Sequence, residues 1–338
     1  MANQPEIIEQ YRAVHAVGGV CARTDRSLIE VVGKDRAAWL HNLVTNAVKT
    51  LTPGEGNYAF ATNIKGRAVF DLNLLVLEDR IWLDVDAREA VKALGHLGKY
   101  IITEDVELKD RSGEISRIAL FGQKAMDACT SLGFANFVTW AGMQHAGGAV
   151  AGAACRLVRD DFTGLPTAEF FITAPHAVAM DAIKAAAASF GLVPVDRETM
   201  EVLRIEAGRP ASVDDIDEDV VPPESGQIER GISYHKGCYL GQEVIERMRS
   251  HGVLIRRLVG IQLDGDVRPE RNAKVSINGQ DVGRVTSSCW SEAVGAILAL
   301  GYVKSIHAKP DTVVSVSIAG GERGGRVVSL PVCCAQLT

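Results

Sequence analysis

Six side chains with chemical capacity fall within one short span. Gly231 to Arg247 reads G-I-S-Y-H-K-G-C-Y-L-G-Q-E-V-I-E-R and gathers Lys236, Cys238, Tyr239, Gln242, Glu243 and Arg247. Glycine adopts backbone angles that other residues resist and lets a chain pass close to a ligand or another backbone. Gly237 and Gly241, on either side of the cysteine, therefore predict a tight loop presenting Cys238 and Tyr239. From Gln242 onward Val244, Ile245 and Met248 form an apolar stripe while Glu243, Glu246 and Arg247 stay polar, the pattern of a helix. A thiol just ahead of a helix N-terminus sits in the field of free N–H groups. A nearby lysine adds to that field, and both favour thiolate over thiol. Cys238 is thus a candidate reactive or sensor thiol. The competing assignment is a small buried hydrophobe, the usual state of a free cysteine.

A second candidate is a carboxylate inside a strand. In Ala68 to Leu77, Phe70, Leu72, Leu74 and Val76 fall on one face, and Val69, Asp71, Asn73 and Leu75 on the other. A carboxylate among apolar neighbours needs partners. Asp71 is either an acceptor for a ligand's amino or ring N–H groups, or a solvent-facing aspartate on a half-exposed strand. Arg197, Glu201 and Arg204 share one helix face at i, i+4 and i+7, the spacing of a surface salt-bridge ladder. The Gly- and Ala-rich stretch 146–154 lacks the ending and spacing of a phosphate loop and reads as strand and turn. The acidic run Asp214, Asp215, Asp217, Glu218 and Asp219 reads as a solvated loop. It has no turn glycine or spaced glutamate of a calcium loop, and no metal site is assigned.

The elements that must position these groups follow from periodicity. Strands are expected at 27–32, 58–62, 68–77, 80–85, 106–109 and 116–121, and helices at 35–43, 87–100, 123–132, 175–190 and 196–207. Asp86 and Asp196 are placed to cap two of those helices. The stretch 113–195 predicts an α+β layer with helices on one face of a sheet. After Gly252 the pattern becomes all-β, with Asn278-Gly279 as a hairpin turn, which reads as a small barrel or sandwich of about ninety residues.

Composition bounds the class. The chain has 338 residues, too many for one ordinary core, with 47% apolar and 23% charged residues. A formal net charge of −6 argues against the bulk surface as a direct nucleic-acid partner, and Arg247, Arg249, Arg256 and Arg257 read as a solvated group. Seven scattered cysteines without a C-x-x-C pair argue against a disulfide framework or structural zinc, and for a reducing compartment. No targeting segment and no bilayer-spanning apolar run is evident, so the expected location is the cytoplasm, with no membrane partner.

The run Lys236-Gly237-Cys238-Tyr239-Leu240-Gly241-Gln242-Glu243, followed by Arg247, resembles the signature of the YgfZ-type folate-binding proteins, relatives of the glycine-cleavage T-protein, an aminomethyltransferase. Leu203-Arg204-Ile205-Glu206-Ala207-Gly208 and Pro223-Glu224 resemble segments of the same superfamily, and with the weaker N-terminal matches the likeness covers nearly the whole chain. It implies a T-protein-like folate-binding region of mixed sheets with packed helices over 1–250, in two subdomains, and a C-terminal β-barrel over 251–338. It implies tetrahydrofolate as the cofactor, with Asp71, Glu169 and Arg204 at the pterin and its linker; Arg204 would contact the glutamate tail or order Glu169. Cys238 would be the key thiol, held by Lys236 and oriented by the Gln242-Glu243 turn. The function implied is support of iron–sulfur enzymes, including those that modify tRNA, with iron–sulfur clients as partners and no defined reaction of its own. The alternative is a folate-dependent aminomethyl or methyl transferase. Two departures bear on that alternative. The T-protein's aspartate pair reads Phe70-Asp71 here, and Leu165 to Ala168 replace most of the segment ahead of Glu169.

Overall fold

The computed structural model describes residues 5–173, 176–252 and 254–332; Cys333 and Cys334 lie outside them. The chain opens with helix α1 (Pro5–Ala16) and strand β1 (Gly19–Ala22), followed by β2 (Arg26–Val32) and α2 (Arg36–His41). Strands β3 (Gly56–Thr62), β4 (Ala68–Val76) and β5 (Ile81–Asp86) lead into α3 (Ala90–Gly98) and β6 (Glu107–Asp110). The next section holds β7 (Ile115–Phe121), α4 (Ala125–Ser131), β8 (His145–Val150), β9 (Ala153–Arg159), β10 (Thr167–Thr173), α5 (His176–Ser189), β11 (Val193–Pro194) and α6 (Arg197–Glu206). Helices α7 (Ile228–Gly231) and α8 (Gln242–His251) precede β12 (Arg256–Leu263), β13 (Lys274–Ile277), β14 (Gln280–Ser291), β15 (Ala296–Lys304), β16 (Val313–Ile318) and β17 (Gly321–Val328).

These form an α+β region and a closed barrel. The first sheet runs β3-β4-β5-β2-β6 and the second β11-β1-β7-β10-β9-β8. Phe70, Leu72, Leu74 and Val76 pack under α2 and α3, as the two-residue period predicts, while Leu75 turns the other way, toward the second sheet. There Trp82 stacks on Phe171 across the two sheets, with ring centroids 5.9 Å apart. Helices α4 and α5 cover the outer face of the second sheet. Helix α6 packs its apolar side, Val202, Leu203 and Ile205, against α1 and against Cys289, Leu298 and Leu300 of the barrel. The barrel order is β12-β15-β14-β13-β16-β17.

Three sequence expectations change. The sixth barrel strand, β17, is absent from the pattern because its segment G-E-R-G-G-R carries almost no apolar alternation. The acidic stretch after α6 is not simply solvated. Ser212, Asp215, Ile216 and Val220 are buried in it, and Asp215 is fully enclosed. Asp71 is not on a solvent-facing strand surface either, since every residue of β4 is buried.

Candidate functional site

A cavity of about 200 Å³ opens where the two sheets meet α6 and the loop that follows it. Tyr58 of β3, Asp71 and Asn73 of β4, and Asp86 at the end of β5 come from the first sheet. The passage from β1 of the second sheet to β2 of the first adds residues 21–26, with Asp160 and Phe162 beyond β9. Glu201 and Arg204 of α6, Arg209, Ser212 and Asp214 of the loop, and Arg230 of α7 close the rest. The volume has room for a flat bicyclic head group more than for a whole drug-sized ligand.

Asp71 is 5% exposed and lines this cavity. Its Oδ2 accepts the Tyr58 hydroxyl proton at 2.6 Å, and its Oδ1 accepts from Ser212 Oγ. Neither partner is a cation, so the carboxylate is held in place without its charge being consumed. Burial first, and then the neighbouring carboxylate, push the Tyr58 phenol well up, so it remains a hydrogen-bond donor. The Arg230 guanidinium lies 3.8 Å from the Tyr58 ring centroid and fixes the ring face.

Glu169 and Arg204 have other commitments. Glu169 is 1% exposed and is not part of the cavity lining. Arg117 holds it through Nε at 2.8 Å and Nη2 at 2.6 Å, and Arg23 Nη1 lies 3.5 Å away. Arg204 lines the cavity, but its donors go to Glu201, Asp215, the Arg209 carbonyl and Ser287. It does not order Glu169, and of the surface ladder expected of Arg197, Glu201 and Arg204, Arg197 is exposed while Arg204 is buried and ties α6 to the acidic loop and the barrel. Asp215 completes that tie by accepting from Thr286 and Ser287 of β14.

Several cavity groups escape sequence reasoning. Arg26 bonds Asp84 at 3.0 Å, Arg23 bonds Asp25 at 2.9 Å, and Arg88 bonds Asp86 and Asp214 at 2.8 and 2.7 Å. Arg117 also reaches Asp84 at 2.5 Å. Burial opposes the charge on Asp84, but the two guanidiniums outweigh it and hold its carboxyl well below the usual range. Asn73 Nδ2 bridges Asp84 and Asp160 at 2.9 and 3.1 Å. Asp160, deprived of a cation partner, is pushed up by burial to about 6.

The cysteine segment forms a separate surface feature. Cys238 is exposed and lies outside the cavity lining, which removes the buried-hydrophobe assignment. Tyr239 points inward, packing with Val221, Ile232 and Ile245. Lys236 serves the backbone and not the sulfur: its ammonium donates to the carbonyls of His41, Val44 at 2.5 Å and Asn46 at 3.1 Å. Gln242 opens α8 and its Oε1 accepts the Tyr239 N–H at 3.3 Å. Gly237, Glu243 and Arg247 are exposed. Gly241 has φ +81 and touches the β3–β4 turn; a Cβ there would lie 2.8 Å from Gly66 Cα. The segment therefore packs against the tip of the β3–β4 hairpin, whose strands carry Tyr58 and Asp71 into the cavity, and its first residue, Gly231, lies against the rings of Phe60 and Tyr58.

Comparisons with known proteins agree with this architecture. Residues 2–233 match the GCVT N-terminal domain and residues 256–333 the glycine cleavage T-protein C-terminal barrel domain. An aminomethyltransferase of Chloroherpeton thalassium is 29% identical over 328 residues, covering 96% of this chain and 90% of that protein. One of Anoxybacillus flavithermus is 28% identical over 331 residues, covering 96% and 90%. The crystal structure of glycine cleavage system aminomethyltransferase T from Bartonella henselae superposes with a TM-score of 0.85 at 21% identity, covering 98% of this chain and 91% of that one, a likeness of fold. Among the described residues, no helix is long and apolar enough to cross a membrane.

Proposed function

The chain belongs to the glycine cleavage T-protein family, and on that premise we propose that it binds a reduced folate, tetrahydrofolate, in the cavity at Asp71. The observation that carries this reading is a buried carboxylate held by two hydroxyls, beside an aromatic ring and in no salt bridge among the described residues. When bound, folate supplies a carrier for a one-carbon unit. The chain's own residues would do the rest. Tyr58 and Ser212 fix Asp71, Asp71 accepts a proton or orients a reacting nitrogen, and the closed walls restrict water.

Two uses of that folate have separate support. Aminomethyl or methyl transfer is supported by the relatives, which carry the name aminomethyltransferase over almost the full length of this chain. A YgfZ-type role in assembling or maintaining iron–sulfur enzymes, including tRNA-modifying ones, is supported by a different observation. Cys238 is exposed, on a loop anchored by Lys236 and Gly241, away from the cavity where transfer would occur. There it is accessible to a client protein and does not line the cavity.

Calorimetric titration with tetrahydrofolate tests the shared premise; no binding at submillimolar ligand rejects it. The variants then separate the uses. A transferase loses one-carbon transfer to tetrahydrofolate in Asp71→Asn and keeps it in Cys238→Ala. An iron–sulfur helper fails to restore cluster-enzyme activity in a deficient cell when Cys238 is alanine.

A further inference from the structure

Six carboxylates face the cavity, and five are already engaged. Asp25 is bonded by Arg23, Asp86 and Asp214 by Arg88, Glu201 by Arg204, and Asp71 by two hydroxyls. Asp160 is different. It is 6% exposed, and among the described residues its side chain receives one proton, from the Asn73 amide at 3.1 Å on Oδ2. Oδ1 has no donor. The backbone around it is fixed: Asp160 N donates to the Thr167 carbonyl at 3.1 Å, and Asp161 Oδ1 accepts from Thr167 N at 2.9 Å. A buried carboxylate in a rigid setting with half its acceptor capacity unused lacks a partner that the chain itself does not provide.

Glu169, the residue that the family likeness places at the pterin, is enclosed outside the cavity lining, in an ion pair with Arg117 and 3.5 Å from Arg23. We infer that Asp160, in place of Glu169, is the carboxylate that accepts the amino-pyrimidine edge of the folate head group. This rests on the folate-binding reading. The charged groups around Asp160 are Glu169 and Asp84 on one side and Arg230, Arg23 and Arg209 on the other. A neutral planar group with two adjacent N–H donors matches the paired acceptors of a carboxylate. The rings of Tyr58 and Phe162 line the same cavity, each with a guanidinium over one face, Arg230 at 3.8 Å and Arg23 at 4.0 Å.

The test compares ligands that differ at one position. The full chain is titrated with tetrahydrofolate, then with 5,8-dideazafolate and its analogue carrying methyl in place of the 2-amino group. Asp160→Asn and Asp160→Thr are titrated beside the native chain, with thermal melts to confirm folding. The native chain should prefer the 2-amino compound by roughly 10- to 100-fold, as expected for a hydrogen bond to a buried charged group, and both variants should lose the preference. A native chain that binds tetrahydrofolate without discriminating the pair, or variants that keep the preference, overturn the Asp160 assignment and leave folate binding standing. A native chain that binds no tetrahydrofolate rejects the folate reading, and this inference with it.

Discussion

Arg117 grips Glu169 through two guanidinium nitrogens, at 2.8 and 2.6 Å, with both side chains almost wholly withdrawn from solvent. The pair joins β7 to β10, whose registers place Arg117 opposite Phe171 and Glu169 opposite Ala119. Removing Glu169 leaves buried Arg117 with Asp84 alone, at 2.5 Å. Glu169→Ala should therefore cost about 1–3 kcal/mol of unfolding free energy in urea titration, with Glu169→Gln costing less. A loss near zero would mean the pair is solvated.

Tyr58 and Asp71 should act as a unit. Tyr58→Phe removes one donor from a buried carboxylate and should weaken tetrahydrofolate binding or transfer roughly 5- to 20-fold while costing about 1–2 kcal/mol of stability. Asp71→Asn should lower transfer by about 100-fold or more with a smaller change in binding, if Asp71 moves a proton. Equal losses in both would assign Asp71 to binding alone.

Lys236 satisfies three carbonyls that follow α2. Lys236→Met should strand them, costing about 1–3 kcal/mol, and should speed amide exchange at 231–242 ahead of the sheets. Unchanged exchange in that segment would show the anchor to be dispensable.

Among the described cysteines, Cys238 should be alkylated first. Burial raises the thiols of Cys21 and Cys155 to about 11 and that of Cys129 to about 12, and Cys289 is enclosed. Cys238→Ala should leave the melting temperature unaltered, since the side chain has no partner to lose. Timed iodoacetamide labelling read by mass spectrometry measures the order.

Asp160 predicts a pH signature. Its carboxyl holds a proton up to about pH 6 in the folded chain, against an ordinary value of 3.8. The folded state therefore binds more protons between those values, so this group's contribution, complete below pH 3.8, is lost as pH rises through 6. Asp160→Asn should be more stable than the native chain at pH 7.5 by about 2–3 kcal/mol, and nearly equal to it at pH 4. Denaturant midpoints at the two pH values give the comparison; equal midpoints at pH 7.5 would show that Asp160 is not desolvated.

Much of this was legible in local pattern, because local rules govern it. Asp196 caps α6 by accepting from Thr199 N, Asp86 accepts from Arg88 N, α8 begins at Gln242, and Asn278-Gly279 turns β13 into β14. The position of Asp71 on β4 followed from a period of two. What stayed hidden were charges whose partners lie far off in sequence. Arg117 and Asp84 are 33 residues apart, and Arg117 and Glu169 are 52 apart. Spacing along the chain carries no trace of such pairs, and a lone arginine in a strand reads as an exposed one. Asp160 was passed over for the same reason, since its meaning lies in the absence of the cation that Asp25, Asp86, Asp214 and Glu201 possess.

The contact of Gly66 with Gly241 leaves no space for even one methyl group between two backbones. It welds the tip of one hairpin to the loop bearing the sulfur, while the strands of that hairpin supply a wall of the pocket. A bulkier residue at either glycine would push the two apart and tilt the strands like a lever. The pocket wall and the loop bearing the thiol would then both be displaced, though neither group had been altered.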